Sequence, residues 1–332
     1  MKILNKGKLK DLLNSLADEA QVFAPVNEDG VIKFQPWTDD KEVDLSSNAL
    51  LPPKDLLFPQ TENMYRYTAK GVKADVTEAA VGSDKQVIFA IRPCDVRSFL
   101  MMDDVFLTKG YEDDYYKNKR DNTILISLGC KDPEPTCFCD SMGIDKSESD
   151  HADIVMFDLG EQLALEAKTD AGKTLLDSFS ELEDGSADKP DTSECSIKVE
   201  PQGLSEKLAK MFEHPYWEEL SRKCIGCGAC TYLCPTCHCF DIRRKNVGDE
   251  GFQFRCWDSC MFSEYTRMAG GHNPRPSKKE RVRNRFLHKL QYFPERYEKV
   301  ACVGCGRCLA KCPVNMDITR IIKELGEVAV NE

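Results

Sequence analysis

The sequence has no apolar run long enough to cross a membrane. Its longest apolar stretches, such as VIFAI at residues 87–91, fall far short of the roughly 20 residues that a membrane-spanning helix needs. The chain also does not open with a charged segment followed by an apolar one, as a secretory signal peptide would. We therefore expect a soluble, cytoplasmic protein without a membrane span.

The common sequence devices for nucleotide binding and catalysis are missing as well. No GxGxxG motif follows an expected strand, and the GCG patterns at residues 226–228 and 304–306 lie inside cysteine motifs. There is no P-loop, nucleophile elbow or HExxH motif. We expect no flavin or nicotinamide on this chain and no substrate of its own.

A general nucleic-acid partner is also excluded, because the net charge is -11. The positive charge is unevenly placed, and residues 267–299 hold ten Arg or Lys against three Glu. Most of these side chains are expected to form a solvated helix face. Compensation of nearby metal-centre charge and docking of an acidic partner are the alternatives.

Cysteine, in contrast, is abundant, with 17 residues in a chain of 332. A chain of this length with 41% apolar residues buries enough surface to fold without disulfides. An odd number of cysteines also cannot pair completely within one chain, and clustered cysteines in a reducing compartment are typical of metal ligands. The composition therefore favours metal binding.

The motif CxxCxxCxxxCP occurs twice, at residues 224–235 and 302–313. Three cysteines spaced by two residues bring their thiolates to one cavity, and in two-cluster proteins the fourth cysteine ligates the other cluster. Zinc also binds CxxC pairs, but zinc ribbons rarely repeat this full spacing. We predict two [4Fe-4S] clusters, one on Cys224, Cys227, Cys230 and Cys312, and a second on Cys302, Cys305, Cys308 and Cys234.

The amino-terminal part predicts a mixed α/β fold. QVIFAI (86–91) and TILISLG (123–129) are typical of buried strands, with a helix over 95–106 between them, which indicates a parallel βαβ unit. The runs around Gly160 predict a hairpin, and the acidic segment 181–194 predicts a surface loop or linker. We expect an α/β domain at 1–203 and a mainly helical two-cluster ferredoxin domain at 204–332.

A third metal site is predicted in the amino-terminal domain. The carboxyl ends of parallel neighbouring strands lie on one edge of a sheet, and a cysteine follows each of the two strands above. A third [4Fe-4S] cluster is the main hypothesis, while zinc or buried free thiols are the alternatives. The ligands are predicted to be Cys94, Cys130, Cys137 and Cys139.

Five cysteines remain after these assignments: Cys195, Cys237, Cys239, Cys256 and Cys260. We assign no chemical role to Cys195, which stands alone in an acidic segment. The other four either pack beside the clusters and shield them from water, which we favour, or form a further site with C-x-C and C-x3-C arms. Thiol chemistry on a disulfide or sulfur substrate by Cys237, Cys239 and Cys260 is the alternative function.

The cysteine segments together resemble one family. RPCD (92–95), TCFC (136–139), CIGCGACTYLCPTCHCF (224–240), WDSC (257–260), AGGHNPRP (269–276) and CVGCGRCLAKCP (302–313) are similar, in this order, to segments of the beta subunit of cytoplasmic sulfhydrogenases and of the related iron-sulfur subunit of anaerobic sulfite reductase. The resemblance covers most of the chain from about residue 24, and Cys256 is not one of its positions.

The resemblance implies an iron-sulfur electron-transfer subunit that is not itself catalytic. In that family, the subunit works beside an FAD-containing subunit that binds NAD(P)H. It exchanges electrons with a catalytic subunit of the hydrogenase, sulfite reductase or heterodisulfide reductase type. The terminal acceptor, the cluster potentials and the stoichiometry do not follow from the sequence.

Overall fold

A computed structural model describes residues 1–78 and 84–329 of the chain. Within these residues, two sheets contain the strands β1 (Lys2–Asn5), β2 (Gln21–Glu28), β3 (Val31–Pro36), β4 (Thr61–Lys70), β5 (Lys73–Glu78), β6 (Gln86–Ile91), β7 (Thr123–Leu128), β8 (Ile154–Asp158), β9 (Gln162–Ala167), β10 (Glu183–Asp184), β11 (Phe240–Val247) and β12 (Glu250–Trp257).

The helices in chain order are α1 (Leu9–Glu19), α2 (Lys54–Leu57), α3 (Pro93–Leu107), α4 (Asp114–Asp121), α5 (Asp170–Asp177), α6 (Leu204–Ala209), α7 (Tyr216–Lys223), α8 (Ala229–Tyr232), α9 (Lys278–Leu287), α10 (Phe293–Tyr297), α11 (Arg307–Ala310) and α12 (Ile318–Glu327). A π-helical segment, His288–Tyr292, joins α9 to α10. No helix in the described parts of the chain is long and apolar enough to cross a membrane.

The larger sheet has eight strands in the order β10-β1-β9-β8-β7-β6-β2-β3. Its centre, β2, β6, β7 and β8, is parallel, and the hairpin of β8 and β9 is antiparallel. Both the predicted βαβ unit and the predicted hairpin are confirmed. The sequence of β6 is apolar throughout because helices cover both faces: Val87 and Phe89 belong to one core with α1, whereas Ile88 and Ile91 pack with α3.

The smaller sheet is antiparallel, with the order β11-β12-β4-β5. It pairs β4 with β12, so strands from both sides of the predicted boundary at residue 203 form one sheet. The expectation of a mainly helical carboxy-terminal domain is not confirmed, because β11 and β12 occupy much of residues 240–257. The division into 1–203 and 204–332 remains a prediction.

A buried arginine fastens the smaller sheet to the amino-terminal part. Arg255 on β12 is 2% exposed, and it lies opposite Glu62 on β4. Its Nε donates to the Glu62 carboxylate at 2.7 Å, and its Nη1 donates to Asp113, before α4, at 2.6 Å. Two carboxylates thus compensate one buried cation at the junction.

We predict that Arg255→Met lowers the free energy of unfolding by about 3–5 kcal/mol, because it leaves two carboxylates without their buried partner. Anaerobic chemical denaturation measures the change. Arg244→Met is the matched control, since Arg244 is an exposed residue of the same sheet and contacts Gln253; its cost should stay below about 1 kcal/mol. Equal losses in both variants would contradict the prediction.

Candidate metal centres

The four cysteines of the amino-terminal half come together at the carboxyl end of the parallel strands. Cys94 lies in the first turn of α3, and Cys130 follows β7. Cys137 and Cys139 come from the next loop, and all four side chains line one cavity. The structure therefore brings together the residues that were expected to converge, although the alternatives for what they bind remain open.

The chemistry of this cavity fits an anionic cluster held by thiolates. Burial raises the pKa of Cys94 well above its usual value and that of Cys137 to about 12, so bare thiolates are disfavoured there. A bound metal supplies the positive charge that makes thiolates stable. Arg92 and Lys146 line the cavity with positive charge, and Asp132 and Glu134 line it with negative charge.

Cys195, to which the sequence assigned no role, lies against this site. It is 1% exposed, and its Sγ is 3.6 Å from the Sγ of Cys139. Its backbone N-H donates to the Asp140 carboxylate at 2.7 Å. The ligand atoms of Cys139, Asp140 and Cys195 all lie within 4.8 Å of one another. The residue thus contacts the site from 56 positions away, and its lack of a chemical role stays a prediction.

Each cysteine motif of the carboxy-terminal half ends its first loop with a left-handed glycine. Gly228 and Gly306 have φ values of +76° and +73° and immediately precede the short helices α8 and α11. This turn folds the loop back onto the helix start, where a side chain at the glycine position would be strained. Both motifs therefore present three thiols around one tight turn.

The expected exchange of fourth ligands requires Cys234 to lie near the second motif. The pKa of Cys302 is raised to about 11, mainly by burial; Lys289 opposes the increase, and the Cys234 thiolate acts in the same direction as burial. Cys234 acts in the same direction on Cys305 and Cys308. Cys312 belongs to one apolar cluster with Cys224 and Cys230 but also with Cys302 and Cys308, so this packing does not distinguish the two ligand sets. The assignment of ligands remains a prediction.

Two buried lysines lie beside the first motif. The Nζ of Lys289 donates to the Cys234 Sγ at 3.2 Å and to the Ala301 carbonyl at 3.0 Å. Lys54 lies 4.2 Å from the centre of the Trp257 ring and donates to the Cys237 carbonyl at 3.0 Å. Neither makes an ion pair with a carboxylate among the described residues, so the sulfur atoms are the anions that they face.

The remaining cysteines do not form one four-thiol site. Cys237 is the neighbour of Cys234, and the Cys234 thiolate helps to raise its pKa. Cys239 is the neighbour of Cys260, whose hydrogen bond lowers the pKa of Cys239 to about 6. Cys256 lies on β12 among Arg243, Asp241 and Asp258. This arrangement is in line with thiols that pack beside the clusters, which stays a prediction.

The amino-terminal site and the second motif are in direct contact. The Phe138 N-H donates to the Gly304 carbonyl at 2.8 Å, and the Cys137 thiol lies 3.8 Å from the Cys305 carbonyl oxygen. A Cβ on Gly304 would lie 2.6 Å from the Cys139 Cα. The backbones approach closely only because residue 304 is a glycine.

A buried ion pair holds the same contact. The Arg307 guanidinium, between Cys305 and Cys308, binds both Asp95 oxygens at 2.5 and 2.7 Å. Asp95 is fully buried and adjoins Cys94. Arg307 also donates to the Ala49 carbonyl at 2.8 Å and to Asn48 at 2.8 Å. The pair is bidentate and fully hydrogen-bonded, the geometry in which a buried pair is strongest.

Comparison with known proteins identifies the class of these centres. A 4Fe-4S dicluster domain is recognised over residues 223–316, which contain both cysteine motifs. The protein is thus an iron-sulfur protein of the dicluster type, and the zinc alternative for these motifs is set aside.

The whole chain is 30% identical to sulfhydrogenase 2 subunit beta of Pyrococcus furiosus over 334 residues, which covers 96% of each chain. The chain belongs to this family of sulfhydrogenase beta subunits, as the resemblance of the cysteine segments indicated. It is an iron-sulfur electron-transfer subunit. No solved structure matches the chain.

We predict that Gly304→Ala destabilises the protein by about 2 kcal/mol more than Gly226→Ala does. Both glycines have positive φ, +63° and +72°, so both alanines are strained, but the nearest atom to a Cβ at residue 226 is 3.8 Å away. Only Gly304→Ala forces the two loops apart. Anaerobic denaturation with iron analysis tests this, and equal effects of the two substitutions would refute it.

Proposed function

We propose that the chain carries three [4Fe-4S] clusters and conducts electrons between two other redox proteins. The ligand sets are those expected from the sequence: Cys224, Cys227, Cys230 and Cys312; Cys302, Cys305, Cys308 and Cys234; Cys94, Cys130, Cys137 and Cys139. The observation that carries the proposal is the contact of the amino-terminal four-cysteine cavity with the second motif at Gly304 and Arg307.

The clusters supply one-electron transfer when they are bound, and the protein sets their order. The second motif contacts the amino-terminal site through Gly304 and shares Cys234 with the first motif by the proposed exchange of ligands. The cluster held mainly by the second motif is therefore the middle centre. Three of the proposed ligands are buried and eight are half-buried, which limits the access of water to the centres, and Cys227 is exposed at one end.

The partners that we propose are a flavoprotein that oxidises NAD(P)H or reduces NAD(P)+, and a catalytic redox subunit. The relative in Pyrococcus furiosus is named as a subunit of a sulfhydrogenase, which supports a multi-subunit assembly. The catalytic partner is of the hydrogenase, sulfite reductase or heterodisulfide reductase type. The abundance of unpaired cysteines favours a cytoplasmic location.

Iron analysis of anaerobically purified protein tests the number of clusters. We expect about 12 iron and 12 sulfide per chain, and about 8 of each in the variant Cys130→Ser/Cys137→Ser, which lacks two ligands of the amino-terminal cluster. Cys195→Ser is the matched control because it removes a buried thiol beside the same site, and it should keep all 12. A wild-type protein with only about 8 iron per chain would show that the third cluster is absent.

Reconstitution with a flavoprotein tests the proposed electron transfer. The isolated chain should not oxidise NADPH. When a co-purified flavoprotein is added together with NADPH, the clusters should be reduced and their visible absorbance should bleach. NADPH oxidation by the chain alone would contradict the proposal.

A second candidate function is a thiol reaction on a disulfide or sulfur substrate. The observation that favours it is the pair of Cys239 and Cys260, because hydrogen bonding from Cys260 lowers the pKa of Cys239 to about 6 and a thiolate is the reactive form. Cys239→Ser/Cys260→Ser should then abolish turnover of such a substrate with the cluster spectra intact. Altered spectra would instead assign these thiols to the surroundings of a cluster.

A further inference from the structure

The helical segment from α9 into the π-helical turn places two buried cations on one face. Arg285 and Lys289 are four residues apart, a spacing that puts side chains next to each other on a helix. They are 2% and 4% exposed. Both residues belong to the basic region 267–299, most of which was expected to be a solvated face, but both are buried.

Lys289 contacts the cysteine motifs directly. Its Nζ lies 3.2 Å from the Cys234 Sγ and also donates to the Thr236 hydroxyl at 3.0 Å and to the Ala301 carbonyl at 3.0 Å. Ala301 precedes the first cysteine of the second motif. This side chain therefore spans the end of the first motif and the beginning of the second.

Arg285 differs from Arg255 and Arg307 in having no hydrogen-bonding partner among the described residues, although its guanidinium lies 4.6 Å from the centre of the Phe286 ring. Arg255 and Arg307 each bind carboxylates, whereas Nε, Nη1 and Nη2 of Arg285 have no hydrogen-bond acceptor among the described residues. Leaving a buried cation uncompensated costs several kcal/mol. The arrangement therefore requires an anion within reach of the guanidinium.

The groups that face Arg285 are cysteines of both motifs. Burial opposes its charge, but the thiolates of Cys230 and Cys308, followed by those of Cys237 and Cys234, hold its pKa above the usual value. Cys230 is a proposed ligand of the first cluster and Cys308 of the second. The five N-H donors of a guanidinium, on three nitrogens in a planar fork, suit the thiolate and sulfide sulfurs of such clusters.

We propose that Arg285 is a positioning residue shared by the two clusters of the dicluster domain, whose guanidinium donates to sulfurs of both and raises both reduction potentials. The proposal rests on the ligand assignment above. Each cluster gains one electron and one negative charge on reduction, and no proton is required. A fixed cation stabilises the reduced form more than the oxidised form, and hydrogen bonds to sulfur act in the same direction.

Redox titration of the full chain, followed by EPR, tests this role. Arg285→Gln should shift the midpoint potentials of both dicluster centres to more negative values, whereas Arg285→Lys should restore much of the shift because it keeps the charge. The amino-terminal centre is an internal reference and should change least.

Arg283→Gln is the matched control. Arg283 is on the same helix and 7% exposed, but it stacks on the Phe212 ring at 3.6 Å and donates to the Phe212 carbonyl at 2.7 Å. The substitution Arg283→Gln removes the same charge as Arg285→Gln and should leave the midpoint potentials of both dicluster centres unchanged. Unchanged potentials in an iron-replete Arg285→Gln protein, or equal shifts in both variants, would overturn the proposal.

A measurement on the unaltered sequence applies if Arg285→Gln does not fold. In protein labelled with 15N-arginine, pulsed EPR of the reduced state should detect 15N coupling at the cluster of the first motif, since Arg307 lies beside the second. Absence of this coupling would overturn the role of Arg285. A protein without the expected iron would instead reject the ligand assignment, so the two failures are distinguishable.

Discussion

The bidentate pair of Arg307 and Asp95 is the interaction on which the arrangement of the cysteines depends. One partner lies inside the second cysteine motif and the other adjoins Cys94 in the amino-terminal half, 212 positions away. Neither side chain has access to water that could replace its partner. The pair therefore joins two groups of thiols that belong to different halves of the chain, and the close approach that glycine permits at residue 304 lies at the same contact.

Charge compensation explains why a protein with net charge -11 buries so many cations. Lys54, Arg285 and Lys289 lie near cysteine sulfurs and without carboxylate partners among the described residues, whereas Arg255 and Arg307 bind carboxylates. Burial of the three cations without carboxylate partners would destabilise a protein that has no anionic centres. Buried positive charge thus indicates where clusters belong, independently of the cysteine spacing.

Local patterns predicted the central βαβ unit, because β6 and β7 are continuous apolar runs separated by a helix. Since the carboxyl ends of parallel strands lie at one edge of a sheet, this unit also predicted that the four amino-terminal cysteines lie together. The smaller sheet was not predicted because β4 and β12 contain no continuous apolar run, are largely half-buried, and pair over a long sequence separation. Cys195 escaped for a similar reason: no motif surrounds it, and only the folded chain brings it to Cys139. Apart from its charge, nothing in the sequence around Arg285 indicated that this side chain is buried beside the cysteine motifs.

The pairing of β4 with β12 has a consequence for biosynthesis. The hairpin of β4 and β5 emerges from the ribosome early but has a free edge until β12 follows, about 180 residues later. At usual elongation rates this takes on the order of ten seconds. One edge of β4 therefore stays unpaired until the first cysteine motif has been translated.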